Sequence, residues 1–260
     1  MTPVTIITGA SAGIGAELAR VFARHGHALL LVARREQRLQ ELAAEIESAG
    51  AAKPAVLALD LGARDATKRI ADAMAERSFE PQFIVNNAGF GLIGHAATLQ
   101  LGEQLDMIDL NVRALTELSL AFVDSLSRHR GGILNVGSVG SFMPGPGSAV
   151  YYAGKAYVLS LSEALHRELA PRGVRVCCLC PGPVATEFQA RSGVPHDAPR
   201  WPLATSASRV AEAGYHGLMR GQRVVIPGFG NWLVARVVAP LLPRALFLKI
   251  LDDRQTRRKH

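Results

Sequence analysis

Residues 4–26 read VTIITGASAGIGAELARVFARHG, and three kinds of segment follow one another within them. The apolar start predicts a strand, TGASAGIG predicts a tight turn, and AELARVFARHG has the spacing of a helix. Gly9, Gly13 and Gly15 would let the backbone approach a pyrophosphate, which then rests on the helix N-terminus. We therefore expect this turn to bind a dinucleotide, and a plain tight turn is the alternative.

The second predicted strand is HALLLVA at residues 27–33, nearly all aliphatic as in strands buried on both faces. A carboxylate at the end of such a strand would bind the adenosine 2′-hydroxyl. Ala33, Arg34 and Arg35 stand there instead. Guanidinium groups without a carboxylate favour a 2′-phosphate, so the sequence predicts NADP(H) over NAD(H). The alternative is that both arginines only begin the exposed face of the next helix.

The alternation of strands and helices continues along the chain. AVLALDL (55–61) predicts a strand that ends at Asp60 and Leu61, and FIVNNAGFG (83–91) predicts one that ends in amide and small residues. A long helical pattern at about 102–129 carries Asn111 between aliphatic residues. This order gives a parallel sheet with helices on both faces. Ligands bind beyond the carboxyl ends of such strands, where all these motifs fall.

The stretch SVGSFMPGPGSAVYYAGK (138–155) carries side chains suited to acid–base chemistry. Tyr151 and Lys155 are four residues apart and share one face of a helix that is expected to begin near residue 149. An ammonium beside a phenol lowers the phenol's pKa from about 10. The hydroxyl of Ser138 would hold a substrate oxygen near the tyrosine. A Tyr-x-x-x-Lys pair is weak evidence by itself and gains weight from the surrounding motifs.

Taken together, these motifs resemble the short-chain dehydrogenase/reductase family, in its order and spacing from residue 5 to about 190. The resemblance implies an α/β fold in a single domain, with a doubly wound, seven-stranded parallel sheet of the Rossmann type. It also implies hydride transfer between a nicotinamide and a carbonyl/alcohol pair. The matching segments are TGASAGIG (8–15), DL (60–61), NNAG (86–89), Asn111, Ser138, YYAGK (151–155) and PGPVAT (181–186).

The resemblance also implies roles for individual residues. Tyr151 is the expected proton donor or acceptor, and Lys155 is expected to bind the nicotinamide ribose and lower the tyrosine's pKa. Ser138 would position the substrate oxygen, and Asn111 would hold a water that links Lys155 to solvent. The four-residue spacing from tyrosine to lysine selects Tyr151 over Tyr152. The expected cofactor-binding residues are Gly9, Ser11, Gly13, Ile14, Gly15, Arg34, Asp60, Leu61, Asn87, Ala88, Gly89, Tyr151, Lys155, Pro181, Gly182, Val184 and Thr186.

The composition of the 260 residues is that of a soluble globular α/β protein, 48% hydrophobic and 20% charged. The net charge of +7 comes partly from a basic C-terminal tail, and no basic stripe is interleaved with aromatic residues. We therefore expect no binding of nucleic acid. The start, MTPVTIITGA, lacks the charged region of a signal peptide.

Three cysteines crowd one apolar run, VRVCCLC. In a strand, Cys178 and Cys180 point to one face and Cys177 to the other, which does not make a tetrahedral metal site. We therefore expect no metal and interpret the three as core residues. Thiols without a distant partner fit a reducing compartment, so we expect a cytoplasmic protein.

Three loops are expected around the nicotinamide, at residues 90–97, 139–148 and 187–207. Their fixed charges are few, apart from histidines, Arg191, Asp197 and Arg200, which slightly favours an apolar carbonyl or secondary alcohol as substrate. Ordinary loop packing is the alternative. The glycine and prolines of 187–207 are typical of a mobile lid. The apolar residues of these loops are Phe90, Leu92, Ile93, Phe142, Met143, Phe188 and Trp201.

Residues 231–260 form an apolar segment with a basic tail, after a dinucleotide-binding and catalytic domain expected at residues 1–230. Charges and two prolines interrupt the apolar run at 231–251, which argues against a membrane-spanning helix. A broken helical pair that covers the substrate cleft or a partner subunit is favoured over contact with an anionic membrane surface.

The sequence therefore predicts an NADP(H)-dependent oxidoreductase that acts on a small-molecule carbonyl or alcohol. We expect a homodimer or homotetramer, formed through the two long helices at about 102–129 and 149–170, because both are apolar on more than one side. An NAD-linked alcohol dehydrogenase on the same fold is the first alternative. A nucleotide-sensing or scaffold protein is the second, and the intact Ser138, Tyr151, Lys155 and Asn111 argue against it.

Overall fold

Seven parallel strands form one sheet, in the order β3-β2-β1-β4-β5-β6-β7. The computed structural model describes residues 1–188, 192, 204–245, 248–249 and 251–252. Most of the predicted lid, with Arg191, Asp197, Arg200 and Trp201, lies outside the described residues. The strands are β1 (Thr2–Thr8), β2 (Leu29–Ala33), β3 (Ala55–Ala58), β4 (Phe79–Asn86), β5 (Gly132–Val136), β6 (Arg175–Leu179) and β7 (Val224–Val225).

Helices cover both faces of this sheet, which confirms the predicted doubly wound α/β architecture. One face packs against α1 (Gly13–Arg24), α2 (Glu36–Ser48) and α8 (Ala207–Met219). The other face packs against α3 (Ala66–Glu76), α5 (Leu115–Ala121), α6 (Val123–Arg128) and α7 (Ala149–Leu169), with α4 (Leu101–Ile108) beside α7. Two helices, α9 (Phe229–Leu233) and α10 (Ala239–Leu241), follow in the C-terminal segment.

The inner strands are apolar along their whole length because alternate residues enter two different cores. In β2, Leu29 and Leu31 face the core under α1 and α8, whereas Leu30 and Val32 face the core under α3 and α7. All are 3% exposed or less. The near-continuous aliphatic runs of the sequence follow from this two-sided burial.

The strand order reverses between β1 and β4, which lie side by side at the centre of the sheet. Connections leave these two strands in opposite directions, so a crevice opens beyond their carboxyl ends. The glycine turn follows β1 and the NNAG segment follows β4. The loop that begins at Ser138 follows β5, and Pro181 follows β6 shortly after. The fold therefore gathers the sequence motifs at one edge.

The single helix predicted at about 102–129 is wrong in detail, because four segments replace it. A π-helical turn at Asp109–Ala114 lies between α4 and α5, and the chain leaves helical dihedrals at Phe122 (φ −120°, ψ 19°) before α6. Arg113 of the π-turn forms ion pairs with Asp109 of the same turn at 2.7 Å and with Glu117 of α5 at 3.0 Å. The wider turn buries Asn111, which is 2% exposed.

The C-terminal segment folds back toward the loops beyond the sheet. A π-helical turn at Val234–Val238 joins α9 to α10, and the helix ends at Leu242, directly before Pro243. The guanidinium of Arg236 lies 5.1 Å from the centre of the Phe142 ring, and His95 approaches Asp252 at 4.0 Å. Among the described residues, no helix is long and apolar enough to cross a bilayer.

Candidate active site

The glycine turn is built so closely that side chains cannot replace two of its glycines. Gly9 adopts φ +64°, in the left-handed region that favours glycine. A Cβ on Gly15 would lie only 2.3 Å from the carbonyl oxygen of Gly9. Asn87 Nδ2 donates to the carbonyl oxygens of Thr8 (2.9 Å) and Gly9 (3.2 Å), so this side chain braces the turn.

The N-terminus of α1 has the chemistry of an anion site. The N-cap residue of α1 is Ala12, whose side chain cannot accept a hydrogen bond from the N–H groups of the first turn. That turn also has no acidic residue. Backbone N–H groups at such a terminus attract a phosphate. A Cβ on Gly13 would lie 3.1 Å from the Thr186 methyl group, so residue 186 borders the same turn. These features fit the pyrophosphate of a dinucleotide.

Two arginines stand at the carboxyl end of β2, and each already has an acidic neighbour. Arg34 Nη1 lies 3.8 Å from Asp60 Oδ2, and both side chains are more than half exposed. Arg35 turns the other way, where its Nη1 donates to Glu187 Oε2 at 2.7 Å and its Nε to Ser11 Oγ at 3.3 Å. Sequence reasoning missed Glu187, because no local pattern relates residues 152 positions apart.

Tyr151, Ser138 and Lys155 come together where α7 passes the end of β5. The Ser138 hydroxyl lies within hydrogen-bonding reach of the Tyr151 phenol and also accepts from Gly140 N at 3.0 Å. Lys155 is buried, with its Nζ 5.9 Å from the centre of the Tyr151 ring. The ammonium donates to the carbonyl oxygen of Val136 at 2.8 Å.

Burial dominates the protonation of this pair, and the expected lowering of the Tyr151 pKa by Lys155 stays a prediction for the cofactor-bound site. Burial raises the pKa of Tyr151 well above its usual value, while the hydrogen bond with Ser138 works in the opposite direction. Burial also lowers the pKa of Lys155 to about 8. Tyr151 is therefore a neutral phenol across the physiological range. The ammonium is turned toward Val136 rather than the phenol.

Asn111 reaches the same place from the π-turn. Its Oδ1 accepts from Phe90 N at 3.1 Å, and its Nδ2 donates to Phe90 O at 2.8 Å. A Cβ on Gly89 would lie 2.8 Å from Asn111 Oδ1 and 3.8 Å from Lys155 Nζ. The amide and the ammonium thus both lie close to Gly89, and all four predicted catalytic side chains occupy one region.

The neighbouring Tyr152 has a different environment. A Cβ on Gly145 would lie 2.2 Å from the Tyr152 ring, and one on Gly140 would lie 3.2 Å from it. The ring is therefore held between two glycines of the loop at residues 139–148. This packing gives Tyr152 a structural place beside Tyr151, whose ring centre is 5.9 Å away.

The segment after β6 borders the site from the side of the C-terminal helices. Pro181 O accepts from Val139 N at 2.9 Å, and Val184 is buried in the core. A Cβ on Gly182 would lie 2.2 Å from Asn231 Oδ1. Asn231, which the sequence did not single out, is 3% exposed and donates to Pro227 O. Its contact with Gly182 ties α9 to this segment.

Several predicted cofactor-binding residues lie along the carboxyl edge of the sheet, and their side chains differ in solvent exposure. Leu61 is buried in the core. Asp60 Oδ1 accepts from Gly62 N at 3.0 Å, and its carboxylate is more than half exposed. Ile14 packs partly against the core, and Ala88 N donates to Thr8 Oγ1 at 3.1 Å.

Apolar side chains surround Tyr151. The ring of Phe188 lies 5.8 Å from the Tyr151 ring, centre to centre. A Cβ on Gly91 would meet Phe188, Ser192 and Tyr151, each at 3.2 or 3.3 Å. Leu92, Ile93, Phe142 and Met143 are partly buried nearby in the chain, and Phe90 is buried.

The three thiols are buried in β6 and directly after it. Cys177 faces the core under α1 and α8, whereas Cys178 and Cys180 lie together on the other face with their Sγ atoms 3.6 Å apart. This agrees with the strand geometry expected from the sequence. Within the described ranges, no three His, Cys, Asp or Glu side chains are placed to hold a metal ion.

Known proteins resemble this chain over most of its length. A family model described as short chain dehydrogenase matches residues 3–195. Sulfoacetaldehyde reductase 2 of Chromohalobacter salexigens is 38% identical over 191 residues, covering 72% of this chain and 75% of the relative.

Two solved structures have the same fold over nearly the whole chain. A short-chain dehydrogenase from Sphingobium yanoikuyae in complex with NADPH has a TM-score of 0.79 at 33% identity, covering 98% of this chain and 94% of that one. The bulky-bulky ketone specific alcohol dehydrogenase from Comamonas testosteroni has a TM-score of 0.75 at 28% identity, covering 99% and 93%.

Proposed function

This chain belongs to the short-chain dehydrogenase/reductase family, and we propose that it reduces an apolar carbonyl compound with NADPH, or runs the reverse oxidation, with Tyr151 as the proton donor. The observation that carries the proposal is the convergence of Tyr151, Ser138, Lys155 and Asn111 beside a dinucleotide-binding turn. An oxidoreductase of this family acts on alcohol or carbonyl groups, so these side chains have a reaction to serve.

The residues of the crevice fit a dinucleotide. The free N–H groups of α1 and the glycine turn would hold its pyrophosphate, and Asp60 and Leu61 would lie beside the adenine. Ala33, Arg34 and Arg35 at the end of β2 favour the 2′-phosphate of NADP(H). The NADPH complex of the Sphingobium relative supports this choice. An NAD-linked alcohol dehydrogenase is the alternative.

A bound nicotinamide would supply or accept the hydride. The Ser138 hydroxyl would hold the substrate oxygen within reach of the phenol. Tyr151 would donate its proton to that oxygen, because its raised pKa keeps the proton in place at neutral pH. Lys155, charged below pH about 8, would stabilise the phenolate that forms and bind the ribose. Asn111 would hold the water that links Lys155 to solvent.

The walls around Tyr151 support an apolar substrate. Phe188 packs against the phenol, and Phe142 and Met143 lie in the loop that begins at Ser138. The bulky-bulky ketone specificity of the Comamonas relative agrees with an apolar substrate, whereas the Chromohalobacter relative is a sulfoacetaldehyde reductase. We infer that the described part of the C-terminal segment closes this side of the cleft, since Arg236 lies over Phe142 and Asp252 lies near His95. A cytoplasmic location stays a prediction from the buried thiols.

The test is NADPH oxidation over a panel of bulky ketones, aldehydes and short anionic aldehydes, followed for three proteins. Wild type should turn over the apolar carbonyls best. Tyr151→Phe should lose about 10²–10⁴ in kcat, which is the usual contribution of a positioned acid, and still bind NADPH. Tyr152→Phe is the matched control and should stay within about tenfold of wild type, because its ring fills the same space between Gly140 and Gly145.

Two results would count against this function. If Tyr152→Phe were inactive and Tyr151→Phe kept nearly normal activity, the proton donor would be Tyr152 and not Tyr151. NADPH binding without turnover of any compound would favour the nucleotide-sensing or scaffold alternative.

A further inference from the structure

One ion pair crosses the mouth of the dinucleotide crevice. The guanidinium of Arg35 donates from Nη1 to Glu187 Oε2 at 2.7 Å, and its Nε and Nη2 contact Ser11 Oγ at 3.3 and 3.2 Å. Ser11 belongs to the glycine turn, and Glu187 follows Thr186, which borders Gly13. A carboxylate from far along the chain therefore reaches an arginine beside the turn.

Arg35 stands next to Arg34 at the end of β2, although the two side chains contact different acidic residues. Both arginines follow Ala33 at the carboxyl end of β2, where a 2′-phosphate is expected. A guanidinium that donates to one carboxylate in this way presents the geometry that also suits a phosphate. Glu187 thus fills the anion position of Arg35 with a group of the protein itself.

The pair is easily exchanged. The side chains of Arg35 and Glu187 are 47% and 58% exposed, and an exposed pair of this kind contributes only about 0–1 kcal/mol. A phosphate can therefore replace the carboxylate, but it meets two opposing effects. It must displace Glu187 from Arg35, and it is repelled by a carboxylate that stays close.

We propose that Glu187 is a specificity-determining residue that competes with the 2′-phosphate of NADP(H) for Arg35 and so limits the preference for NADP(H) over NAD(H). This rests on the proposed function only in the choice of cofactor, and it assigns Glu187 no part in the chemical step. Neutralising Glu187 should therefore strengthen the binding of the phosphorylated dinucleotide selectively.

The experiment measures the Kd of NADPH, NADH, 2′,5′-ADP and 5′-AMP by calorimetry for wild type and Glu187→Gln. NADPH and 2′,5′-ADP should bind about three- to tenfold more tightly to the variant, which is the effect of removing about 1 kcal/mol of competition. NADH and 5′-AMP should change less than about twofold. Glu212→Gln is the control, because it removes a carboxylate from another exposed pair, with Arg24 at the far end of α1.

A second comparison shows whether Glu187 acts through Arg35. In an Arg35→Ala background, Glu187→Gln should no longer improve NADPH binding, and the two changes should be non-additive. If Glu187→Gln strengthened the binding of NADPH and NADH equally, Glu187 would act on the pyrophosphate or on the overall charge of the crevice. That result would overturn the proposal. No improvement, or a full improvement without Arg35, would overturn it as well. The proposed preference for NADP(H) has a separate test, because it would be contradicted by a wild-type protein that prefers NADH.

Discussion

Among single residues, Lys155 carries the property that pH can test. Burial lowers its pKa to about 8, so the ammonium is present below that pH and lost above it. The pKa of Tyr151 lies well above its usual value, so the phenol keeps its proton throughout this range. We expect kcat/KM for carbonyl reduction to stay level below pH 8 and to fall above it. The measurement is the pH profile of the reduction.

Lys155→Arg provides the comparison for that profile, because a guanidinium stays charged at every accessible pH. The variant should be slower at neutral pH, since its longer head group fits the space beside Val136 poorly. Its fall above pH 8 should nevertheless move to higher pH or disappear. An unchanged alkaline limb in the variant would show that another group titrates there.

Arg34 is the second residue that a substitution can assign. One charge-assisted hydrogen bond contributes roughly 1.5–3 kcal/mol, which corresponds to some ten- to hundredfold in affinity. Asp60 lies 3.8 Å from Arg34 and offsets part of this, so we expect an effect near the lower end. Arg34→Ala should raise the KM for NADPH about tenfold and leave the KM for NADH nearly unchanged. Steady-state kinetics with both cofactors measures this.

Ala33→Asp tests the same preference from the opposite direction. The new carboxylate would accept from a ribose 2′-hydroxyl and repel a 2′-phosphate, so preference should tilt toward NADH. If Arg34→Ala weakened both cofactors equally, this arginine would support the fold and not the phosphate.

At the scale of elements, α7 and the loop before it depend on glycines that admit the Tyr152 ring. A Cβ on Gly145 would lie 2.2 Å from that ring, so Gly145→Ala must displace the loop or the start of α7. We expect a loss of about 1–3 kcal/mol in unfolding free energy and lower activity, because Ser138 and Tyr151 flank the displaced region. Thermal unfolding and kcat measure the two effects.

Gly102→Ala is the matched control, since a Cβ there meets nothing within 4 Å. It should leave the melting temperature unchanged or raise it slightly, because alanine is the better helix former. Tyr152→Ser should remove most of the penalty of Gly145→Ala, because the clash needs the ring. Additive losses in the double variant would contradict this explanation.

The elements also show which parts of the site local sequence could predict. The glycine turn, the parallel sheet and the pairing of Tyr151 with Lys155 depend on spacings within a few residues, and the structure has them. The π-turn around Asn111 depends on hydrogen bonds to the backbone of Phe90, which belongs to another segment. The contact of Arg35 with Glu187 joins distant parts of the chain. Such features follow from tertiary packing, which periodicity does not record.

At the scale of the whole molecule, most of the exposed large apolar side chains in the described residues fall into two groups. The first lies on the helices from α4 to α7 and the second on the C-terminal helices. Thr116 Oγ1 lies 3.0 Å from the Tyr157 hydroxyl, so α5 and α7 run side by side under the first group. The first group is Leu101, Leu105, Ile108, Leu120 and Tyr157, and the second is Phe229, Trp232, Leu233 and Leu241. Several large apolar side chains exposed on neighbouring helices are typical of a contact with another protein.

We expect the first group of exposed apolar side chains, on α4 to α7, to form the interface of a homodimer or homotetramer. Leu105 and Leu120 are 51% and 50% exposed; Leu120 lies on α5, which buries Leu118 against the sheet, and Leu105 lies on α4, which packs beside α7. A second copy of the same helix pair would cover them, as expected for an isologous interface. Wild type should therefore sediment at a multiple of 27.8 kDa at micromolar concentration.

Leu105→Glu combined with Leu120→Glu should lower the sedimenting mass, because each copy would bring buried carboxylates to the interface. Phe229→Glu is the control on the second group, where the side chain is 77% exposed, and it should keep the wild-type mass. The melting temperature of the double variant should also become independent of protein concentration once the copies separate. A wild type that is monomeric at every concentration would contradict the prediction. Dissociation by Phe229→Glu alone would place the interface on the C-terminal helices instead.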